Sequence, residues 1–392
     1  MAWELKNVEN QRRELTNAYI RGESSMTELC TKYGVSRKTG YKWIKRYQAN
    51  GYKGLEDLSK APKKPHVLFS ESFIEIAIEL KIKHPTWGPK KILAKLNRDF
   101  PKLKWPSPTR LYEIFKEYHL VTSKRIRKRV PATHPLGDLN NSNDVWMADF
   151  KGWFLTQNKQ KCEPLTITDG FSRYLLKCTH LEKKSVEHVW PVFESVFSEY
   201  GLPNRIRTDN GAPFATVGAG RLSQLSINFI KAGITPEWIN PGHPEENGRH
   251  ERFHLTLKIA VANPPAENLK EQLIKMVIFQ NEYNFERPHE ALNMDTPGTC
   301  YAYSIRKWDG KLRSPEYNTT ECIVRKVGQN GCIWINQQEY YIGQTLTGEY
   351  VSIKESENNQ FKLHYGPVYL GILSKDKLEC PKLKPKAIVR RN

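Results

Sequence analysis

Residues 207–211 read RTDNG (Arg207-Thr208-Asp209-Asn210-Gly211), directly behind Pro203-Asn204-Arg205-Ile206. A strand-like run thus ends on an aspartate followed by Asn and Gly. Asp-Asn-Gly is turn chemistry, because Asn and Gly tolerate the backbone angles of a tight turn. A second reading is that the strand delivers Asp209 to an exposed edge, where its carboxylate can hold a metal ion. Five residues allow both readings, so the segments on either side have to decide.

Upstream, from about Asn143, the pattern is that of strands. VWMADFKGWFL covers 145–155, LTITD covers 165–169 and RYLLKCT covers 173–179. Runs this close in sequence, joined by short loops, predict antiparallel neighbours. A helix follows, with Val186, Val189, Trp190, Phe193, Val196 and Phe197 at helical spacing. The RTDNG strand comes next, a further strand is expected over Ile234–Ile239, and two helical patterns near 245–262 and 266–285 close the unit. This order predicts an α/β core over 144–300.

The 392-residue chain is too long for one typical domain. Its hydrophobic fraction of 39% and charged fraction of 26% are those of a soluble protein with true cores. No apolar run is long enough to cross a membrane, and MAWELKNVENQRREL at the N-terminus has no apolar signal core. The seven cysteines are scattered and form no CxxC pair, which argues against a disulfide framework or zinc knuckle and for a reducing compartment. Net charge is +19. Residues 1–143 hold 29 Lys+Arg against 14 Asp+Glu, whereas 144–392 hold 32 against 28. A basic surplus confined to the N-terminal part points to a polyanion partner there, beyond what a merely solvated basic surface needs.

That part reads as two all-α modules. In SMTELCTKYGVSRKTGYKWIKRYQ, residues 25–48, a short helix runs from Thr27 to Tyr33, Gly34 ends it in the left-handed conformation, and Ser36 caps a second helix. Gly40, Trp43, Ile44 and Tyr47 form that helix's buried stripe, while Arg37, Lys38, Tyr41, Lys42 and Lys45 occupy the other face. Helix, glycine turn and basic helix make a helix-turn-helix, whose second helix enters the major groove. We place this DNA-binding domain at 1–60, with Arg37, Lys38 and Lys42 as DNA contacts. A second helical unit, 66–120, follows a proline-rich joint. Its stripes are Phe73, Ile76, Ala77 and Leu80, then Ile92, Leu93 and Leu96, then Leu111, Ile114, Phe115 and Tyr118. With Lys90, Lys91, Lys95 and Arg110 outside, it is either another helix-turn-helix or a plain three-helix packing unit. Residues 121–143 form a linker whose Lys124, Arg125, Arg127, Lys128 and Arg129 would track phosphates. Residues 315–375 break into six short strands separated by turns such as Gln329-Asn330-Gly331, which predicts a small β-barrel. The tail, 376–392, is basic.

Three stretches now stand in one order: WMADFKG around Asp149, IRTDNGAPF around Asp209, and PGHPEENGRHERFHLTLK around Glu251. With the segment NEYNFERPHEAL after them, the chain resembles the bacterial insertion-sequence transposases of the Asp-Asp-Glu type. These join helix-turn-helix modules to a ribonuclease-H-like, retroviral-integrase-type catalytic core. The resemblance covers the order of domains from end to end. It implies that Asp149, Asp209 and Glu251 are the catalytic residues and the ligands of two Mg2+ or Mn2+ ions. Such ions lie about 3.5–4 Å apart when they activate the attacking and leaving oxygens of a phosphodiester. Magnesium wants oxygen ligands, so carboxylates must converge from separate elements. The resemblance also places Lys258, one helical face along from Glu251, on transposon-end DNA, and Asn247 near the scissile phosphate. Arg249 and Arg252 hold phosphates or are solvated surface. Glu245, Glu246 and His243 stand nearby as rivals to Glu251. Asp169, before Gly170, is read as a turn cap, and Arg287-Pro288-His289 as a structural closure.

Asp149 and Asp209 are 60 residues apart, and Asp209 and Glu251 are 42 apart, longer than the common spacing of this class. The excess is assigned to 216–226, with Gly218 and Gly220, as a loop beside the site. The expectation is therefore a DNA transposase, active as a dimer or larger multimer on inverted-repeat ends and target DNA in the bacterial cytoplasm. Metal-activated water would cut to leave a 3′-hydroxyl, which would attack the target in line. The alternatives are a helix-turn-helix regulator with a vestigial core and a ribonuclease-H-type nuclease.

Overall fold

The computed structural model describes residues 8–58, 71–121, 139–239, 248–356, 360–374 and 377–379. The chain divides into two compact units, Met1–Leu68 and Phe69–Asn392.

In the first unit, α1 (Val8–Ile20), α2 (Met26–Tyr33) and α3 (Arg37–Asn50) pack around Leu15, Met26, Leu29, Cys30 and Ile44. Ser25 caps α2 in a reciprocal arrangement: its hydroxyl accepts from Glu28 N, and its own N–H donates 2.9 Å to the Glu28 carboxylate. Gly34 closes the helix at φ 66°, in the left-handed region, and Ser36 caps α3 through Thr39 N. The turn signals read from 25–36 are thus all used. Gly40 is where α2 and α3 touch. A Cβ there would sit 2.6 Å from Met26 Sδ and 2.9 Å from Cys30 Sγ. The predicted stripe is buried at Gly40, Trp43 and Ile44. Helix α1, with only Leu15 and Thr16 buried, had no apolar stripe to announce it.

The second unit opens with α4 (Glu71–Lys83), α5 (Pro89–Asp99) and α6 (Pro108–Glu117). Their core joins Ala77, Ile92, Leu96, Leu111, Ile114 and Phe115 to Trp87 and Trp105, two tryptophans from the connecting segments. Strand β1 (Val145–Phe150) follows, then a small ribbon of β2 (Phe154–Leu155) and β3 (Lys161–Cys162), then β4 (Pro164–Asp169) and β5 (Leu175–His180). After α7 (Val186–Tyr200) come β6 (Arg205–Thr208), α8 (Gln224–Lys231), β7 (Thr235–Trp238), α9 (Gly248–Val261) and α10 (Leu269–Asn281). The five main strands form one sheet in the order β5-β4-β1-β6-β7. β1 pairs antiparallel with β4 and parallel with β6, and β6 pairs parallel with β7.

Side chains alternate across this sheet. Trp146, Ala148, Leu165, Ile167 and Ile206 face one way and pack with Val189, Phe193 and Phe197 of α7 and Leu225 and Phe229 of α8. On the opposite side, Phe253, Leu257 and Val261 of α9 and Met276 and Phe279 of α10 pack with Leu175 and Cys178. The three antiparallel strands and α7 match expectation. α8 was not foreseen; it begins inside the segment read as a loop insertion, capped by Ser223 through Ser226 N.

The C-terminal part holds β8 (Ile323–Lys326), β9 (Cys332–Ile335), β10 (Gln338–Tyr341), β11 (Tyr350–Ser356), β12 (Gln360–Tyr365), β13 (Val368–Ser374) and β14 (Lys377–Glu379). All six expected strands are there, but they do not close into a barrel. Among the described residues they form an open sheet, β14-β13-β12-β11-β8, and a separate hairpin, β10-β9. Sheet and hairpin share one apolar core, in which Val351, Ile353, Leu363 and Leu370 join Ile333, Ile335 and Tyr340 of the hairpin, and Leu222, Ile227 and Ile230 of the catalytic part pack into the same core. Lys231 adds an ion pair to Glu349 at 2.8 Å.

Candidate active site

The site grows from the register of two neighbouring strands. β1 and β6 pair as Val145↔Arg205, Trp146↔Ile206 and Met147↔Arg207, a constant offset of 60 residues. Asp149 and Asp209 differ by the same 60 positions. The printed pairs end at Met147↔Arg207, so Asp149 stands two residues beyond them on β1 and Asp209 follows the last residue of the neighbouring β6. Alternation along β1 puts Asp149 on the face that α9 covers, opposite Trp146 and Ala148. Asp209 stands just past β6, half-buried, and accepts 3.2 Å from Gly211 N. The turn reading of RTDNG is seen directly in this contact, made by an aspartate that follows the last residue of β6.

Asn210 fastens this turn, donating 2.8 Å to Ile239 O at the end of β7 and accepting 2.8 Å from Arg221 Nη1. Arg221 belongs to the 216–226 segment, which is no free loop. Ala215 and Leu222 form an antiparallel bridge, and residues 219–221 make one helical turn. Gly220, at φ 60°, lies under the C-terminal sheet, where a Cβ would come within 2.6 Å of Leu370 Cδ2. The segment ties the Asp209 turn to the C-terminal sheet.

α9 crosses the face that carries Asp149. Its His250 (1% exposed) and His254 approach Thr166, the residue that pairs with Asp149 across β1 and β4. Thr166 Oγ1 lies 2.8 Å from His250 Nε2 and 2.9 Å from His254 Nε2, and donates 3.1 Å to Asp149 O. Thr168 Oγ1 lies 3.3 Å from His250 Nδ1, and His254 Nδ1 is 3.9 Å from Asp149 Oδ2. Burial, reinforced by the neighbouring histidine, drives His250 well below the usual imidazole range, and burial beside Lys151 takes His254 down to about 4. Both rings are neutral at pH 7. Among the described residues, Asp149, His250 and His254 form the one cluster of three His, Cys, Asp or Glu side chains whose ligand atoms all lie within 4.8 Å. Asp209 and Glu251 are described but do not join it. Glu251 is exposed in the first turn of α9, three residues before His254 and so on an adjoining line of the same face.

The other expected contacts fall into three groups. Arg37, Lys38 and Lys42 stand exposed on α3, with Lys42 Nζ 4.9 Å over the Trp43 ring. Lys90 and Lys258 are also exposed. Two residues are engaged elsewhere. Arg110 pairs on its own helix with Glu113 (3.1 Å) and Glu117 (3.4 Å). Lys91 is half-buried near Arg287, Glu290 and Arg252, and burial with those arginines pulls its ammonium down to about 8. Lys124, Arg125, Arg127, Lys128, Arg129 and Asn247, with His243, Glu245 and Glu246, lie outside the described residues. Asp169 is the turn cap it was read to be: 1% exposed, it accepts from Asn143 N (2.8 Å), Ser172 N (2.8 Å) and Ser172 Oγ (2.6 Å). His289 packs edge-on against Tyr283 at 4.8 Å, a structural contact.

His250 and His254 were not singled out from sequence, although a signal was there. GRHERFH places two histidines four apart on the helix of Glu251, and LTITD places threonines on every second position of a buried strand. The two periodicities meet face to face.

A mixed sheet with carboxylates at the adjacent ends of β1 and β6, covered by a helix that carries a third acid, is the ribonuclease-H-like architecture of polynucleotidyl transferases. The Integrase core domain family matches residues 140–244 and, in a second form, 232–297. A Helix-turn-helix domain family matches 11–63, and a Homeodomain-like domain family matches 39–115. The chain thus joins helix-turn-helix domains to an integrase core and is related to insertion-sequence transposases and integrases. It is 25% identical over 228 residues to an uncharacterized 39.2 kDa protein of insertion element IS476 from Xanthomonas euvesicatoria, covering 56% of this chain and 62% of that one. An uncharacterized 31.7 kDa protein of insertion element IS407 from Burkholderia multivorans is 24% identical over 192 residues, covering 48% and 66%. The chain therefore spans just under two thirds of both insertion-element proteins. The transposase for transposon Tn552 of Staphylococcus aureus is 22% identical over 438 residues, covering 96% of this chain and 85% of that one. Among solved structures, a simian T-cell lymphotropic virus intasome in complex with the PP2A regulatory subunit B56 gamma aligns at 14% identity and a TM-score of 0.37, covering 78% of this chain and 99% of that one. The HTLV-2 integrase catalytic core domain in complex with magnesium aligns at 18% identity and a TM-score of 0.31, covering 42% and 99%. Among the described residues, no helix is long and apolar enough to cross a membrane.

Proposed function

We propose that this protein is a DNA transposase that binds the inverted repeats at transposon ends, cuts there to leave a 3′-hydroxyl and joins that hydroxyl to target DNA. The observation that supports this reading is that β1, which carries Asp149, pairs in parallel with β6, which Asp209 directly follows. Two aspartates brought together repel each other unless a cation lies between them.

The residues present fit a divalent cation. Carboxylate oxygens from two strands suit a hard ion, and Glu251 stands within one helical turn of the same face. Asp149, Asp209 and Glu251 are assigned as ligands of Mg2+ or Mn2+, two ions per site. Such ions supply positive charge to the attacking and leaving oxygens of an in-line displacement. The protein's own part is positioning. β1 carries Asp149, and the Arg221–Asn210 bond holds the turn that follows β6 and contains Asp209. Lys258 and Asn247 are assigned to end DNA, and Arg37, Lys38 and Lys42 to the repeat. Paired ends require at least two copies of the chain. The β8–β14 sheet is assigned to DNA contact or multimerisation.

A strand-transfer assay on the element's own terminal repeats tests the proposal. Cleavage with joining supports it. Repeat binding without cleavage would assign the chain to a regulator with an inactive core, and cleavage without joining to a nuclease.

A further inference from the structure

Thr166 has one hydroxyl hydrogen and three polar contacts. Its hydrogen goes to Asp149 O, a carbonyl that can only accept. The rings of His250 and His254 must then both donate their Nε2–H to the threonine oxygen, at 2.8 and 2.9 Å. This network assigns the tautomers. His250 uses its remaining nitrogen to accept from Thr168 at 3.3 Å, so both its nitrogens are occupied. His254 differs. In that tautomer its Nδ1 keeps a lone pair, and Nδ1 lies 3.9 Å from Asp149 Oδ2, beyond hydrogen-bond length. Two such ligand atoms, in a cluster whose His and Asp ligand atoms all lie within 4.8 Å, come within reach of one ion when bonds of about 2.0–2.2 Å draw them slightly closer.

We infer that His254 Nδ1 is a further ligand of the ion bound at Asp149, that Thr166 is the positioning residue that turns this nitrogen toward it, and that the site consequently favours a first-row transition ion over magnesium. The inference rests on the reading of Asp149 as a metal ligand. An imidazole nitrogen adds affinity for the transition ions and little for magnesium, which keeps oxygen ligands. A hydroxyl that donates to backbone and accepts from the ring's far nitrogen is the usual kind of support behind a ligating histidine. Glu251, three residues earlier on α9, remains free to approach the same ion from the adjoining turn.

The test is pulsed electron paramagnetic resonance of Mn2+ added to the full-length protein, unlabelled and with 15N-histidine. A nitrogen coupling that changes isotope with the label, and that disappears in both Asp149→Asn and His254→Gln, is expected. Thr166→Val should weaken Mn2+ binding by about tenfold or more and leave Mg2+ binding measured by competition little changed, and Thr166→Ser should restore the wild-type ratio. A purely structural role for Thr166 would lower both affinities together or neither. Absence of Mn2+ binding, or binding without nitrogen coupling, overturns the inference. Because the readout is spectroscopic, it separates from the functional reading. No coupling in a protein whose Asp149→Asn variant loses strand transfer removes His254 alone. Coupling in a protein with no strand transfer keeps the ligand and removes the transposase.

Discussion

The two helical parts carry similar signals and put them to different uses. In α2–α3 the basic residues Arg37, Lys38 and Lys42 stand exposed on one face of a capped helix whose other face is its core. In α4–α6 several basic residues are turned inward or already matched, although Lys90 stays exposed. Lys95 pairs with Asp99 at 2.7 Å, Arg110 with Glu113 and Glu117, and Lys91 sits against the catalytic part. Arg98 donates 3.4 Å to Phe285 O and to Glu286 O, and His84 bonds Glu282 at 2.9 Å. A basic residue on a helix is open to a polyanion only where no carboxylate or carbonyl already engages it. The first module keeps its basic face open, and the second engages several of its basic residues within its own unit.

The largest effect should come from separating chemistry from binding. Asp149→Asn, Asp209→Asn or Glu251→Gln should each lower strand transfer at least about 10³-fold, some 4 kcal/mol in barrier, and leave repeat binding near wild type. The measurement is strand-transfer rate beside a gel-shift titration. A variant that transfers strands at near-normal rate would take that residue out of the triad. Activity that survives a chelator would count equally against a metal-dependent mechanism.

Next in size is the joint that sets the second helical unit apart. His84 is 4% exposed, stacks on Trp87 with ring centroids 3.9 Å apart, and bonds Glu282 across almost two hundred residues of sequence. His84→Ala removes a packed ring and an internal hydrogen bond, a loss of about 2–4 kcal/mol. Urea unfolding should show it, with amide exchange rising over 71–121. Unchanged stability and exchange would mean that this contact does not hold the unit to the core.

Much of this organisation was legible in the sequence, and the parts that were not share a cause. Gly34 and Ser36 announced the helix ends because caps are local chemistry. Asp149 and Asp209 were named together because the motifs around them resemble those of a known family, not because their spacing showed it. The sheet's three antiparallel strands showed their alternation. α1 and α8 were missed: α1 buries little, and α8 begins among the glycine and serine residues of 216–226, which read as a loop. Closure into a barrel is not seen among the described strands, since short alternating strands do not say whether a sheet and hairpin that share one core also pair edge to edge. The His250–Thr166–His254 cluster depends on two elements meeting, which neither periodicity states alone. The fates of Lys91 and Arg110 depend on partners that a list of charges does not reveal.

The difference between the modules predicts a smaller, sequence-dependent effect on DNA. Arg37, at the start of α3, is the side chain best placed for a base edge. Arg37→Ala should cost about 1–3 kcal/mol on the terminal repeat and much less on scrambled DNA. Arg110→Ala, whose guanidinium is already paired, should stay within about 0.5 kcal/mol on either. Titrations at several salt concentrations separate the cases. Equal losses on both DNAs would make Arg37 a backbone contact, reducing the salt slope by about one. A larger loss for Arg110 than for Arg37 would reverse the roles of the two modules.

A further effect should appear in pH. Burial, with Arg287 and Arg252 close by, holds the Lys91 ammonium at about 8, below the ordinary lysine range near 10.4. Below pH 8 the lysine is charged in both folded and unfolded chains, and the folded state bears the full cost of a charge it disfavours. Between about 8 and 10.4 the unfolded chain binds more protons than the folded one, so stability rises with pH across that window. Lys91→Met removes the titration. The wild type should therefore gain on Lys91→Met as pH climbs from 7.5 to about 10, as read from parallel urea midpoints. A constant difference would place Lys91 in water, with the exposed cations of α3. In that case its ammonium, too, would be available to DNA, and the contrast between the two modules would narrow to Arg110, Lys95 and Arg98.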